Sequence, residues 1–351
     1  MAFEVPPPLS TRRIFVTGST GLVGAHLLSN LLQQPVQVRA LKRKSSNLEI
    51  LRKVLGYSHS DPEAAFRRIE WCEGDLLSPE FMREALRGMD QAYHCAAMVS
   101  FDPRNRQQLF SVNVHGTATI VDEALKSGMD KFCFVSSSAA LGKPTGVKEA
   151  YIDELTPWEN TDDLSDYALS KYLAEQEVWR GIRDGLNAVV VNPPIVIGPG
   201  DWSRSSSKLF EASWNGFRFY PPGINAFVDV RDVVKASIQL MNSPIHSERF
   251  IVAAENLSYQ QLFNLIADHL DKPRPRWRVS RRMGEIAWRL EWLASRLAGS
   301  EPKITRATVT SAQKKYFFSN KKIKRKLGYV FIPIEQAVQE TCHRFLEEQR
   351  L

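Results

Sequence analysis

Tyr167 and Lys171 stand four residues apart in the segment Tyr167-Ala168-Leu169-Ser170-Lys171. On a helix this spacing puts a phenol and an ammonium on one face, a turn apart. A free phenol titrates near pH ~10, too high for acid–base work at neutral pH. A neighbouring ammonium favours the phenolate and draws that value down. Such a pair is common and usually decorates a helix surface. It gains weight from Ser136-Ser137-Ser138, a hydroxyl cluster ending an apolar run, where a hydroxyl can orient a substrate carbonyl beside the phenol. Far upstream, Ile14-Phe15-Val16 feeds into Thr17-Gly18-Ser19-Thr20-Gly21-Leu22-Val23-Gly24. Glycine takes positive φ and lets the backbone approach a ligand closely. The amides and dipole of a helix start favour an anion there. A lone glycine turn is a weak signal, but one between a strand and a helix reads as a pyrophosphate cradle. The two clusters together point to hydride transfer with a nicotinamide.

The end of the second strand discriminates between cofactors. An acidic residue about 20 residues past the turn would grip the 2′-hydroxyl of NAD. No carboxylate lies between Gly24 and Glu49, whereas Arg39, Lys42, Arg43 and Lys44 do. Such cations suit the 2′-phosphate of NADP, and a guanidinium binds it bidentately. The expected cofactor is therefore NADP(H) rather than NAD(H), with Arg39 and Arg43 ahead of Lys42 as contacts. The competing reading is a solvated basic loop.

Short apolar runs must carry these groups. Ile14–Val16, Val36–Leu41, Arg68–Cys72, Gln91–Cys95, Phe132–Val135 and Ala188–Val191 read as strands, separated by helical patterns. Two long helices are expected over about 105–126 and 164–183. The alternation predicts an α/β fold, a Rossmann-type doubly wound parallel sheet with a smaller, mostly helical C-terminal lobe. We divide the chain into a cofactor domain at 1–200, to which 227–243 returns, and a substrate lobe at 201–226 and 244–351. Trp202, Phe210, Trp214 and Tyr220 make the lobe's first segment aromatic and are expected to line the substrate site, which suits a flat apolar carbonyl compound. The competing reading packs them into the lobe core. Met283, Ile286, Leu290, Leu293 and Leu297 form a helical stripe with Arg281, Arg282, Arg289 and Arg296 nearby. It either packs against the lobe or lies on a membrane surface.

The chain has 351 residues, with 46 Lys and Arg against 39 Asp and Glu, a formal charge of +7. That excess suits anionic small molecules, and no nucleic-acid signature accompanies it. The cations of 314–326 read as a solvated face. Cys72, Cys95, Cys133 and Cys342 lack metal-ligand spacing, as do the seven histidines, so no metal is expected. Buried free thiols, no leader-like segment and no run of ~18 apolar residues lead us to expect a cytoplasmic protein without a membrane span.

Taken together the motifs resemble those of the extended short-chain dehydrogenases/reductases, which include nucleotide-sugar epimerases, dihydroflavonol and cinnamoyl-CoA reductases and 3β-hydroxysteroid dehydrogenases. Thr17–Gly24 resembles their TGxxGxxG turn. Gly74-Asp75-Leu76 resembles their GDL segment, implying that Asp75 contacts adenine, and Cys95-Ala96-Ala97 resembles the segment that packs on the cofactor. Ser138, Tyr167 and Lys171 fall on the catalytic positions. Asn113 falls on the family's helix asparagine, which holds a proton-relay water. Asn192-Pro193-Pro194-Ile195-Val196-Ile197-Gly198-Pro199-Gly200 resembles the RPxxVxGPG loop beside the nicotinamide, placing Pro193 and Val196 there, with Asn for the usual Arg. Phe227–Val233 and Leu327-Gly328-Tyr329 match further family segments. Val38-Arg39-Ala40-Leu41 and the missing strand-two carboxylate resemble the NADPH-dependent reductases. The expected activity is reduction of a ketone or aldehyde, or its reverse. The alternatives are an NAD-dependent nucleotide-sugar epimerase or dehydratase and a non-catalytic NADP-binding protein. The resemblance also implies a homodimer through the two long helices.

Overall fold

The computed structural model describes residues 11–143, 151–159, 164–300, 302 and 304–350. Seven strands form the central sheet: β1 (Arg13–Thr17), β2 (Gln37–Lys42), β3 (Ile69–Glu73), β4 (Gln91–His94), β5 (Lys131–Val135), β6 (Ala188–Asn192) and β7 (Glu248–Ile251). Their order is β7-β6-β5-β4-β1-β2-β3, every neighbouring pair parallel. Both faces of a parallel sheet are covered by crossover helices, hence the continuous apolar runs. Along β1, Ile14 and Val16 join one core while Phe15 joins the other, the two-residue alternation of a strand. The order reverses at β1, between β2 and β4, and ligands of such sheets lie at that switch point beyond the strands' carboxyl ends.

The crossovers begin with α1 (Leu22–Leu31) after β1 and α2 (Pro79–Leu86) after β3. Ser78 caps α2 by accepting from the Phe81 amide, with Pro79 in the first turn. The first long helix is interrupted. A 3-10 turn at Pro103–Asn105, one helical segment at Arg106–Phe110 and a π-helical turn at Ser111–His115 precede α3 (Gly116–Ser127). The second is the continuous α4 (Asp166–Arg183), whose N-cap Ser165 accepts from the Ala168 amide. After β6, α5 (Val230–Met241) packs Val233, Val234 and Leu240 into the core that holds Ile14 and Val16.

The sheet extends past the boundary drawn from sequence. β7 lies within 244–351, which we assign to the lobe, because Glu248-Arg249-Phe250-Ile251 is too short and too charged to read as a core strand. Beyond it the lobe has a three-stranded sheet of Ile195–Ile197, Ile224–Asp229 and Glu255–Ser258. Helices Tyr259–His269 and α7 (Ile334–Gln349) close over a core containing Phe210, Phe227, Ile266 and Phe345. Tyr329 donates to the Asp232 carboxylate (3.0 Å) and main-chain carbonyl (2.9 Å), fastening the lobe to α5. In the 314–326 segment, Lys322 and Lys326 pair with Glu248. The helix carrying the Met283–Leu297 stripe is α6 (Arg281–Ala298), and only Gly284 and Ser295 are buried on it. Packing against the lobe therefore does not account for the stripe. All four cysteines are free thiols. Among the described residues no helix is long and apolar enough to cross a membrane.

Candidate active site

The glycine turn is built by contact. Gly18 has φ +70°, and a Cβ there would lie 2.5 Å from the Cys95 carbonyl carbon and the Ala96 amide nitrogen. Only glycine lets the end of β1 press against the exit of β4. A Cβ on Gly24 would sit 2.0 Å from the Gly18 carbonyl oxygen, so α1 folds directly over the turn. Gly21 is the N-cap and no side chain caps the helix. Ser19 is buried and donates to the Leu41 carbonyl (2.7 Å), holding the turn to the end of β2; Thr20 is half-buried. Half-buried Leu22 and Val23 begin α1, and Leu22 backs onto the Gly198 and Gly200 loop.

A buried polar chain, invisible in sequence, joins this turn to α4. The Thr117 hydroxyl donates to the Asn113 carbonyl (2.6 Å), so its oxygen is left to accept from His94 Nε2 (3.0 Å). His94 Nδ1 is then the acceptor for the Thr17 hydroxyl (2.7 Å), which itself accepts from the Ala96 amide (3.2 Å). Full satisfaction requires the neutral Nε2–H imidazole, and burial pushes the His94 pKa down to about 3. Asn113 continues the chain. Its carboxamide accepts from the Met98 amide (2.7 Å) and donates to the Met98 carbonyl (3.0 Å) and the Ser170 hydroxyl (2.9 Å). Ser170 in turn donates to the Tyr167 carbonyl (2.8 Å). The Asn113 side chain therefore braces α4 against the strand-four loop.

Tyr167 stacks edge-on to Phe101 (centroids 5.5 Å apart). Burial raises its pKa, opposed by a hydrogen bond from Ser137, so the phenol stays protonated at neutral pH. Ser137, which sequence reading passed over in favour of its neighbour, thus faces the phenol. Ser138 opens the 3-10 turn Ser138–Ala140, its amide donating to the Pro193 carbonyl (2.9 Å). Lys171 is buried. Its Nζ donates to the Val135 carbonyl (3.1 Å) and lies over the Phe134 ring (4.5 Å). Burial lowers its pKa to about 8, against the pull of Glu175. The helix spacing led us to expect Lys171 to draw the phenol's pKa down. Burial instead pushes it up, and the Lys171 ammonium donates to the Val135 carbonyl.

Glu175, one turn beyond Lys171, was also missed. Its buried carboxylate accepts from Ser136 Oγ (2.7 Å), Asn192 Nδ2 (2.7 Å), Trp179 Nε1 (3.2 Å) and Arg249 Nη1 (3.1 Å). The guanidinium that the resemblance expects at position 192 arrives instead from β7, where Ile251 pairs with Asn192. Val196 pairs with Val228 in the lobe's sheet, beyond Pro193.

A cleft of about 1000 Å³ lies at the carboxyl end of β2, lined by Arg43, Lys44, Glu73, Gly74, Asp75 and Arg104 among others. Lys42 pairs with Glu73 at its edge. Leu76 is buried, while Asp75 is exposed and accepts from the Leu77 amide (3.0 Å); Ala96 and Ala97 follow β4, half-buried and exposed. The structure does not bring Arg39 to this cleft. Its guanidinium pairs with Glu70 (2.8 Å) and donates to the Ala85 (2.9 Å) and Arg87 (3.2 Å) carbonyls, three residues before the strand ends. The aromatic expectation also needs correction. Trp202 and Trp214 pack on Phe345 (4.9 and 5.8 Å), and Phe210 is fully buried in the same core. The amphipathic character of Lys208–Trp214 serves α7 rather than a ligand. Tyr220 is half-buried in a strand pair with Trp277–Arg278.

A switch-point glycine turn, a protonated phenol and a buried lysine on one crossover helix define an NAD(P)-dependent oxidoreductase of the extended short-chain dehydrogenase/reductase type. The family model for the NAD dependent epimerase/dehydratase family matches residues 14–253, and the chain belongs to that family. Sterol demethylase protein B of Methylococcus capsulatus is 31% identical over 271 residues, 76% of this chain and 77% of the relative. Cinnamoyl-CoA reductase 1 of Petunia hybrida is 27% identical over 98% of this chain and 95% of its own. The crystal structure of gox2253 superposes with a TM-score of 0.79 at 28% identity, covering 97% of this chain and all of that one.

Proposed function

We propose that the protein is an NADPH-dependent carbonyl reductase, running in reverse as an alcohol dehydrogenase. The observation that carries this reading is Tyr167, a phenol beside the Ser137 hydroxyl, with buried Lys171 one turn further along the same helix. The uncapped start of α1 at Gly21 fits a pyrophosphate. Arg43 and Lys44 line the cleft at the end of β2 without an acidic residue ending that strand, which favours a 2′-phosphate. Gly18–Gly24 would hold the diphosphate, Asp75 and Leu76 the adenine side, and Ala96, Ala97, Pro193 and Val196 the inner end. When bound, NADPH supplies the hydride.

The chain's own residues manage the proton. Tyr167 Oη donates it to the carbonyl oxygen as the alkoxide develops. The hydroxyls of Ser137 and Ser138 orient that oxygen. Lys171, charged below about pH 8, offsets the phenolate left behind and holds the ribose of the nicotinamide. Asn113 acts through Ser170 to fix α4 rather than on substrate. The relatives named for a sterol demethylase component and a cinnamoyl-CoA reductase support a lipophilic or aromatic carbonyl. The test is oxidation of NADPH across a panel of ketones, aldehydes and sterols. Tyr167→Phe is expected to reduce kcat roughly 10³-fold while leaving NADPH affinity within about threefold. Near-normal turnover by that variant would overturn the proposal.

A further inference from the structure

Among the described residues the apolar face of α6 has no partner. Ile286, Leu290 and Leu297 are 59%, 63% and 82% exposed, and Met283 and Leu293 continue the same stripe. The opposite face carries the helix's two buried residues, Gly284 and Ser295; a Cβ on Gly284 would meet Val309 at 2.6 Å. The stripe is therefore turned outward by the packing itself. Contiguous exposed apolar surface on this scale marks an interaction site. At 18 residues the helix is about 27 Å long, enough to lie along a surface.

Charge selects the occupant. Arg282, Arg289 and Arg296 recur every seven residues, which keeps them on one flank of the stripe. Among the described residues neither Arg282 nor Arg296 is paired with a carboxylate, and Arg296 lies over Trp292 (5.4 Å). Arg289 pairs with Glu285 (2.8 Å) on the same flank, which leaves Arg282 and Arg296 as the flank's arginines not paired with a carboxylate among the described residues. An exposed apolar stripe flanked by arginines, with exposed Trp292 beside Arg296, fits an anionic lipid–water interface.

Position adds a reason. The Ser300 carbonyl, just past α6, accepts from Arg104 (2.8 Å), which pairs with Asp102 (2.7 Å). Phe101, next in chain, packs on Tyr167. At the other end, Trp277, 62% exposed, sits in the strand pair that holds Tyr220 and leads into α6. We infer that α6 docks the protein flat on an anionic membrane surface, the helix being linked through Ser300, Arg104 and Asp102 to the Phe101–Tyr167 pair, so that a lipophilic substrate passes from the bilayer into the site. The docking stands on α6 alone; the passage of substrate rests on the carbonyl-reductase reading.

The test sediments the full chain with phosphatidylcholine vesicles, with and without phosphatidylserine. Binding to the phosphatidylserine vesicles is expected to weaken with salt. Arg282→Gln, Arg289→Gln and Arg296→Gln together should weaken it about a hundredfold. Leu290→Glu with Leu293→Glu should weaken it by at least about tenfold, while NADPH affinity and turnover of a water-soluble ketone stay unchanged. Equal sedimentation of the wild type and the leucine variant would overturn docking. So would light scattering that shows a wild-type dimer reduced to a monomer by the leucine changes with no loss of vesicle binding, since the face would then join two copies of this chain. Absent NADPH oxidation with every carbonyl would defeat the reductase reading and leave the vesicle result standing.

Discussion

At the residue scale, burial sets the chemistry of the site. Burial raises the Tyr167 pKa against the Ser137 hydrogen bond, and the proposed mechanism uses the phenol as the proton donor. Ser137→Ala removes a hydrogen bond that favours the phenolate. We expect kcat to fall roughly 10- to 100-fold and the basic limb of the rate profile to move up in pH. An unchanged profile, with Ser138→Ala carrying the whole loss, would assign the role to Ser138. Sequence could name Tyr167, Lys171 and the glycines because their spacing is local. It could not choose between adjacent serines, since that depends on how the chain turns after β5. It also overvalued Arg39, because nothing local reveals that Glu70 on the next strand engages it.

At the element scale, two buried polar networks fix the helices that carry the site. In one, α4 is tied to β6 and β7 through Glu175, Asn192 and Arg249. Arg249→Met would leave a buried carboxylate short of its cation, and we expect a loss of about 3 kcal/mol in urea unfolding. A loss below about 1 kcal/mol would mean that the neutral donors suffice. In the other, neutral His94 bridges Thr17 and Thr117. Its folded pKa of about 3 lies below the 6.5 of an exposed histidine, so the unfolded chain takes up the proton first. The stability it contributes is present above pH 6.5 and is lost as the pH falls toward 3. His94→Leu is expected to lower stability at pH 7 yet flatten the dependence between pH 6.5 and 4; a slope equal to the wild type would remove His94 from the account. Strand and helix order was legible because each crossover unit repeats the same apolar rhythm. The networks were not, because their members come from elements far apart in the chain, and neither was β7, whose four residues bear two charges.

At the scale of the whole molecule, the β1 switch point gathers the parts. The glycine turn faces the Tyr167 helix across the carboxyl edge, and the basic cleft lies beyond β2. The lobe contributes less to the pocket than its aromatic sequence suggests, since Trp202, Phe210 and Trp214 hold its own core together. Its amphipathic helix instead faces outward. The central claim is that this edge binds a phosphorylated nicotinamide dinucleotide for hydride transfer. Titration calorimetry of the wild type and Arg43→Ala with NADPH and NADH tests it most directly. We predict that NADPH binds at least about tenfold tighter than NADH, and that Arg43→Ala reduces the difference by removing a charge-assisted contact. Affinity for neither dinucleotide would contradict the account at its base.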